Sequence, residues 1–124
     1  MRRILVVDDD LHVGQAISVW LAALGFRVAT ADGGVTGLVA LDNATFDLMI
    51  VDVFMPRGHG IERLRSARMA HPGVPIIAIS GQFDPGIGAA GAAAAALHVD
   101  RVVAKPFERE AMLDAVRSLI GRPS

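Results

Sequence analysis

The sequence predicts an α/β fold in which helices cover both faces of a parallel β-sheet, a three-layer sandwich. Short apolar segments rich in β-branched residues alternate along the chain with segments of helical periodicity. The apolar segments are continuous, which is typical of strands buried on both faces. With 124 residues, 52% of them hydrophobic and 20% charged, the chain has the size and balance of one compact domain, which we expect to occupy residues 1–124.

Five segments are predicted strands because they combine β-branched and other apolar residues and end at polar or turn-forming residues. They cover residues 4–7, 27–29, 48–51, 75–79 and 101–104. Right-handed crossovers join successive strands into a parallel sheet. The flavodoxin-like order 2-1-3-4-5 is common for five such strands, and it places a binding crevice beyond the carboxyl ends of strands one and three. We expect this order.

The first helix is predicted between the first two strands. Its buried face is indicated by four apolar residues at helical spacing: Val13, Ile17, Leu21 and Leu24. Gly25 stands where a C-terminal cap belongs. Asp10 precedes the helix, and an aspartate in that position is more often an N-cap than a metal ligand. We therefore assign Asp10 to the helix cap.

The second and third predicted helices cover residues 34–41 and 59–70. Glycines loosen the second helix, because glycine has a low helix propensity. The third helix carries three arginines that we expect to form a solvated face: Arg63, Arg65 and Arg68. The sequence His-Pro-Gly at 71–73 ends this helix.

The fourth and fifth predicted helices cover residues 86–98 and 108–120. Asp84 followed by proline is typical of a helix start. The alanine-rich fourth helix buries little apolar area, so we expect it to pack less tightly than the others. The fifth helix has a single apolar stripe: Leu113, Val116 and Ile120.

Composition and charge exclude several classes of protein. The chain has no cysteine, so it forms neither a disulfide nor a cysteine-based zinc site. Its formal charge of -1 provides no general attraction to nucleic acid or to an anionic membrane, so DNA binding is expected to need another domain. The apolar segments are too short to span a bilayer, and Met1-Arg2-Arg3 leads into a strand rather than a signal-peptide core. We expect a cytoplasmic protein.

Polar residues follow the carboxyl ends of four predicted strands. They are Asp8, Asp9, Asp52, Ser80 and Lys105. In the expected strand order the first and third strands are neighbours, so their aspartates crowd together at the crevice. Crowded carboxylates are unfavourable unless a cation lies among them, and a hard, all-oxygen site suits Mg²⁺. The four histidines are scattered and indicate no soft-metal site.

Ser80 and Lys105 complete a pocket suited to a phosphoryl group, since a hydroxyl and an ammonium both donate to its oxygens. Asp52 at the centre of this pocket is then the natural acceptor. Taken singly, aspartates after strands are also turn formers, and a serine before glycine also occurs in ordinary loops. Lys105 is more specific, because it is the only lysine beside eleven arginines and a compact ammonium reaches into a crevice as a point charge.

These motifs together resemble the receiver domains of two-component response regulators, and the resemblance covers the whole chain. They are Ile-Leu-Val-Val-Asp-Asp at 4–9, Leu-Met-Ile-Val-Asp at 48–52 with Met55-Pro56 and Gly60, Ala-Ile-Ser at 78–80, and Lys-Pro-Phe at 105–107. The resemblance implies a fold that signals by changing shape when phosphorylated. It also implies a sensor histidine kinase or phosphotransfer protein as phosphodonor, a downstream protein or effector domain as partner, and no turnover of an external substrate.

The resemblance assigns a role to each residue of the pocket. Asp52 is the implied phosphoacceptor, and Ser80 and Lys105 are implied to bind the phosphoryl oxygens. Asp9, Asp52 and the backbone carbonyl of Phe54 are implied to bind Mg²⁺ directly, while Asp8 acts largely through water. The Lys105-Pro106 peptide bond is implied to be cis, which proline permits at modest cost. The implied output surface consists of the fourth helix, the fifth strand and the fifth helix.

Several positions depart from the family pattern. Val102 stands where an aromatic switch residue is usual, His98-Val99 replaces the usual pair of small residues, and Gly81 replaces an alanine. Phe54 is expected to shield the acyl phosphate from water and so to slow dephosphorylation, and Gln82 is the other position expected to influence that water.

Two alternatives to a phosphorylated switch are a pseudo-receiver, which one of these departures supports, and a phosphatase, which another disfavours. A pseudo-receiver would keep the fold and the partner surface without phosphorylation, and Val102 is its best support. A phosphatase that forms an aspartyl phosphate would usually have a second carboxylate two residues after the nucleophile, where this chain has Phe54. The intact set of Asp9, Asp52, Ser80 and Lys105 favours the phosphorylated switch.

Overall fold

The computed structural model describes residues 2–8, 10–32, 39–40, 42, 44–52, 66–80, 99–105 and 107–121, with Ser80 described by its backbone alone. The strands are β1 Arg3–Val7, β2 Arg27–Ala31, β3 Leu48–Asp52, β4 Ile76–Ser80 and β5 Arg101–Ala104. Two helices have both ends within these ranges: α1 Leu11–Ala23 and α2 Arg109–Ile120. Neither is long and apolar enough to cross a membrane.

The five strands form one sheet in the order β2-β1-β3-β4-β5, and every pair of neighbours is parallel. This confirms the predicted fold class and strand order. In the register of the sheet, Val7 of β1 lies beside Val51 of β3, and Asp52 lies beside Ile79 of β4. The carboxyl ends of β1 and β3 are therefore adjacent, as the strand-order prediction required.

The central strands are buried on both faces because their apolar side chains alternate between two cores. On one face, Ile4, Val6 and Ile50 pack with residues of α1 and α2. On the other face, Leu5 and Val7 join Met49, Val51 and Ala67 in a second cluster. The prediction of double burial is wrong for β2, where Arg27, Ala29 and Thr30 are exposed. This strand lies at the sheet edge and lacks the continuous apolar run of its neighbours.

Helix α1 begins and ends through local hydrogen bonds that the sequence predicts. The Asp10 side chain accepts from the backbone N–H groups of His12 and Val13, which confirms it as the N-cap. At the other end, Gly25 has a φ of 103° and its N–H donates to Ala22, while the N–H of Phe26 donates to the carbonyl of Leu21. This pair of bonds is a Schellman motif, which favours glycine at the left-handed position.

The buried stripe of α1 ends earlier than predicted, at Leu21 rather than Leu24. Ile17 and Leu21 are fully buried and Val13 is partly buried, as expected. Leu24 is 39% exposed, because it is the C-cap residue and lies beyond the last helical turn. The prediction that Leu24 continues the buried stripe is therefore wrong.

Helix α2 covers almost the predicted range and buries the predicted stripe. Leu113 and Val116 are buried, together with Met112 and Ala115, and Ile120 is partly buried against the same cluster. Glu108 precedes the helix without a side-chain capping bond. α2 packs against α1 on one face of the sheet, so these two helices cover the first core cluster.

The other three predicted helices lie partly or wholly outside the described residues. Residues 39–40 and 42 are helical at the end of the second, residues 66–70 are helical at the end of the third, and the fourth, at 86–98, is outside. Of the three arginines assigned to a solvated face, Arg63 and Arg65 are also outside. Arg68 does not fit that prediction, because it bonds Asp100 at 2.6 Å and the carbonyls of Pro72 and Val74.

Candidate functional site

Asp52 is the last residue of β3 and one of the two most buried charged side chains among the described residues. It is 2% exposed, and the Nζ atom of Lys105 donates to its Oδ2 at 2.8 Å. Lys105 directly follows β5, so its side chain spans the width of β4 to reach β3. The two residues thus lie at the same edge of the sheet, as predicted, and a partly buried, charge-assisted hydrogen bond joins them.

Asp8, the other buried charged residue, follows β1 and is 3% exposed. Its backbone N–H donates to the carbonyl of Ala31, which extends the pairing of β1 with β2 by one bond. Its Oδ1 accepts from the backbone N–H of Asp10 at 2.8 Å. Its Oδ2 is buried and has no hydrogen-bond partner among the described residues. Asp8 is therefore held in place by the start of α1 but is only half satisfied.

Burial and a neighbouring negative charge disfavour ionisation of Asp8. The pKa of Asp8 is raised to about 7, mainly by loss of solvation and also by the negative charge of nearby Asp52. The hydrogen bond from the Asp10 N–H and the positive charge of Lys105 oppose this rise. At Lys105, partial burial opposes the charged form, but the hydrogen bond and charge of Asp52 outweigh it and raise the pKa of the ammonium. The pocket thus contains the positively charged ammonium of Lys105 and carboxylate oxygens that this ammonium does not bond.

The described residues fit a hard divalent cation at this place. Among them, no group of three or more histidine, cysteine or acidic side chains is arranged for metal binding. Asp52 nevertheless ends β3, and Asp8 directly follows the neighbouring strand β1. The Asp8 oxygen that has no hydrogen-bond partner among the described residues would be stabilised by a proton or a cation. Mg²⁺ is commonly bound through one or two carboxylates with water in its other positions. Two further predicted ligands, Asp9 and the Phe54 carbonyl, lie outside the described residues.

For Ser80 the structure describes only the backbone, and for Pro106 it describes nothing. The backbone of Ser80 ends β4 and lies beside Ala104 of β5, so the residue is at the same sheet edge as Asp52 and Lys105. Its side chain is outside the description, and its role stays a prediction. Pro106 is outside as well, and so is the predicted cis peptide bond.

Val102, at the position where the family pattern has an aromatic residue, is partly buried against the second core cluster. It lies beside Ala78 of β4 in the sheet register. The valine therefore belongs to the packing beneath the site. Gly81, Gln82 and His98 lie outside the described residues, while Val99 is buried in the second cluster.

Two interactions, one at the site and one at the opposite edge of the sheet, were missed by the sequence interpretation. One is the bond from the Asp10 N–H to Asp8, for which the Asp-Asp-Asp run at 8–10 was an available signal, since aspartates often accept from a backbone N–H two residues on. The other is the Asp100 carboxylate, which accepts from Arg68 and from the Ile76 N–H at the start of β4. No local sequence pattern indicates that second contact, because its partners are 24 and 32 residues away.

Comparison with known proteins gives a consistent family. The response regulator receiver domain family matches residues 4–117. The probable transcriptional regulatory protein SilR of Salmonella typhimurium is 32% identical over 97% of this chain and 51% of its own length. The response regulator MprA of Mycobacterium sp. (strain KMS) is 35% identical over 98% of this chain and 52% of its own length. The chain thus spans about half the length of these curated relatives.

Solved structures of similar size have the same fold. The chemotaxis protein CheY4 of Vibrio cholerae superposes with a TM-score of 0.84 at 29% identity, over 96% of this chain and 98% of that one. A response regulator receiver protein from Burkholderia phymatum gives 0.83 at 32% identity, over 98% and 97% of the two chains. The chain therefore belongs to the response regulator receiver domain family of two-component signal transduction.

Proposed function

We propose that this chain accepts a phosphoryl group on Asp52 in a reaction that requires Mg²⁺, and that it signals by the resulting change in conformation. The observation that carries the proposal is the partly buried bond between Asp52 Oδ2 and Lys105 Nζ at 2.8 Å, beside the half-satisfied carboxylate of Asp8. The phosphodonor is a phosphohistidine of a sensor kinase or of a phosphotransfer protein. The whole chain, residues 1–124, acts as one receiver domain.

In the transfer, a carboxylate oxygen of Asp52 forms a bond to phosphorus while the bond between phosphorus and the donor's imidazole nitrogen breaks. Asp52 is suited to this role because it is buried and fixed at the end of β3, so little reorganisation precedes attack. The product is an acyl phosphate on Asp52 and a free imidazole on the donor. No oxidant, reductant or further substrate is needed.

Lys105 changes partner during this reaction. Before transfer its ammonium bonds Asp52, and afterwards it donates to an oxygen of the phosphoryl group on the same residue. The Ser80 hydroxyl, at the same sheet edge, donates to another of these oxygens. This pull on the ends of β4 and β5 is the proposed start of the conformational signal, which passes to the surface that includes β5 and α2.

The proposed Mg²⁺ ligands are Asp9, Asp52 and the Phe54 carbonyl, with Asp8 acting largely through water. When bound, the ion neutralises negative charge on the carboxylates and on the incoming phosphoryl oxygens. Asp8 contributes a buried carboxylate, which Asp10 orients through its backbone N–H. We expect Asp8 to become fully ionised when the cation is present, since metal binding releases protons from its ligands.

Incubation with Mg²⁺ and a small-molecule acyl phosphate, followed by intact-mass measurement, tests the proposal. We expect one labile phosphoryl group on the unmodified protein and none on Asp52→Asn. Addition to both proteins would place the acceptor elsewhere. Hydrolysis of a generic phosphate ester with continued turnover would instead indicate a phosphatase.

A pseudo-receiver that acts only through protein contacts is the second candidate. The specific observation in its favour is that Val102, which stands in place of an aromatic switch residue, is partly buried against the second core cluster. An unmodified protein that is not phosphorylated but still binds its protein partners would favour this candidate. In either case the proposed partners are proteins: a kinase or phosphotransfer protein, and a downstream protein or effector domain. Both candidates are proposed to act in the cytoplasm.

A further inference from the structure

Helix α1 is joined by an aromatic contact to the segment that carries the site lysine. Trp20, the only tryptophan of the sequence, lies on α1. Its ring meets the ring of Phe107 edge to face, with 6.3 Å between centroids and an angle of 82°. Both rings are partly buried against the first core cluster. An aromatic pair in this geometry is attractive beyond the area that it buries, so the contact fixes Phe107 against α1.

Phe107 is two residues after Lys105, and the lysine depends on its backbone for position. The Lys105 side chain crosses from the end of β5 to Asp52 on β3, and it is 30% exposed along that path. A four-carbon stem with freely rotating bonds does not hold an ammonium in place unless its backbone is fixed. β5 fixes the backbone on one side of Lys105, and Phe107 is the next described residue on the other side.

The same helix also holds the acidic half of the site. The Asp10 N–H, at the start of α1, bonds Asp8 Oδ1, while Trp20 contacts Phe107 further along the helix. α1 therefore touches both the carboxylate of Asp8 and the segment of Lys105. One rigid element thus sets the relative position of the anionic and cationic groups of the pocket.

We propose that Trp20 is a positioning residue that acts through Phe107 to hold the Lys105 ammonium at the phosphoryl-binding position. This inference rests on the proposed phosphorylation of Asp52 and deepens it. Trp20 does not touch the reacting atoms. It acts on the lysine alone, so its removal weakens binding of the phosphoryl group during transfer and leaves the carboxylates that bind the cation in place.

The first experiment compares three variants in Mg²⁺-dependent phosphorylation by a small-molecule acyl phosphate. Trp20→Leu removes the ring, Trp20→Phe keeps an edge-to-face partner, and Val19→Ala changes a neighbouring residue that is 66% exposed. We expect Trp20→Leu to slow phosphorylation about fivefold, the rate equivalent of one aromatic pair, and the other two variants to remain within about twofold of the unmodified protein.

Mg²⁺ affinity, measured by titration calorimetry on the same proteins, separates positioning from general damage. A loosened fold would weaken Mg²⁺ binding and phosphorylation together. Positioning through Lys105 leaves the Mg²⁺ affinity of Trp20→Leu within about twofold, because the carboxylates and not the lysine bind the cation. Parallel losses in both measurements would overturn the proposal.

A double-mutant cycle with Lys105→Ala identifies the residue through which Trp20 acts. If Trp20 acts through Lys105, Trp20→Leu has no further effect on the rate when Lys105 is already absent. A fivefold loss in that background would overturn the proposal, as would an unchanged rate for Trp20→Leu alone. If the unmodified protein is not phosphorylated at all, the proposed function fails and this inference fails with it, which is a distinct result.

Fluorescence of Trp20 in the unmodified protein keeps the proposal testable if Trp20→Leu does not fold. We expect the emission of this single tryptophan to change on phosphorylation, because Lys105 changes partner and Phe107 moves with it. The change should be smaller in Lys105→Ala when Mg²⁺ and phosphodonor are added at concentrations that phosphorylate both proteins. Equal changes in the two proteins, or no change in either, would contradict the link between the lysine and Trp20.

Discussion

The ends of β1 and β3 each carry a buried aspartate, yet the two residues are held in different ways. Asp8 and Asp52 are 3% and 2% exposed, and their strands are neighbours. Asp52 is bonded by the Lys105 ammonium, whereas one oxygen of Asp8 accepts only a backbone N–H and the other has no hydrogen-bond partner in the described part of the chain. At Asp8, burial together with the charge of nearby Asp52 raises the pKa to about 7. The two equally buried acids thus differ in the partners that their oxygens have.

The largest expected difference between the two aspartates is in phosphorylation. Asp52→Asn removes the nucleophilic carboxylate, so we expect the rate of phosphoryl transfer to fall by at least about a thousandfold. Asp8→Asn removes a charge that acts on the cation largely through water, and we expect a loss of about tenfold that higher Mg²⁺ partly restores. Rates from intact mass at several Mg²⁺ concentrations check both. Equal losses in the two variants would mean that the aspartates share one role.

We expect removal of Lys105 to lower the stability of the protein through its effect on Asp52 more than through its effect on Asp8. Lys105→Met keeps most of the apolar stem but leaves the Asp52 charge buried without its ammonium. We expect the metal-free protein to lose about 1–3 kcal/mol in the free energy of unfolding, less than for a fully buried pair because Lys105 is 30% exposed. Urea denaturation measures this loss.

The matched control adds Asp52→Asn to Lys105→Met. This double variant no longer has the Asp52 charge that lost its ammonium, so it should regain most of the lost stability. Asp8→Asn in the same background should regain less, since the ammonium of Lys105 bonds Asp52 and not Asp8. A similar recovery from both would show that the ammonium neutralises the two carboxylates as a group.

Much of this arrangement follows from the sequence, and the exceptions have identifiable causes. Apolar runs and helical spacing predicted alternating strands and helices, and the common order for five parallel strands was then expected. Because parallel strands bring their carboxyl ends to one edge, Asp52 and Lys105 were expected at the same edge of the sheet. The Asp10 cap followed from its position before an apolar helix. These features depend on local patterns and on one topological rule.

The exceptions depend on contacts between distant parts of the chain. Arg68 was assigned to a solvated face, but it bonds Asp100, which is far away in sequence and near in the fold. The exposure of β2 follows from its place at the sheet edge. The unequal partners of Asp8 and Asp52 required the actual position of the Lys105 ammonium relative to the two carboxylates, which no spacing in the sequence provides.

The pH dependence of stability should isolate Asp8 in the metal-free protein. In the unfolded chain Asp8 loses its proton near the ordinary value of 3.8, whereas in the folded protein it keeps the proton until pH rises to about 7. Between these values the folded state binds the additional proton, so the free energy of unfolding falls as pH rises and the Asp8 contribution is fully present only below pH 4. Asp8→Asn should remove this part of the slope and should therefore stabilise the metal-free protein more at pH 8 than at pH 4.

Urea denaturation of both proteins between pH 4 and 8 measures the difference. Mg²⁺ should reverse this difference in stability between the unmodified protein and Asp8→Asn. The ion needs ionised carboxylates, so it should raise the melting temperature of the unmodified protein more at pH 8 than at pH 5, and Asp8→Asn should gain less. Equal pH profiles for the two metal-free proteins would contradict a raised pKa at Asp8.

The smallest effect is expected at Asp10, which contacts Asp8 through its backbone and caps α1 through its side chain. Asp10→Ala removes the acceptor for the N–H groups of His12 and Val13 and should cost about 1 kcal/mol of stability. Its backbone N–H stays, so Asp8 remains oriented, and we expect Mg²⁺ affinity and the phosphorylation rate to change by less than about twofold. Asp10→Ser, which keeps a capping oxygen without the charge, should recover most of the stability. A large loss of Mg²⁺ affinity in Asp10→Ser would instead make Asp10 a fourth acid of the cation site, because that variant is capped and lacks only the carboxylate.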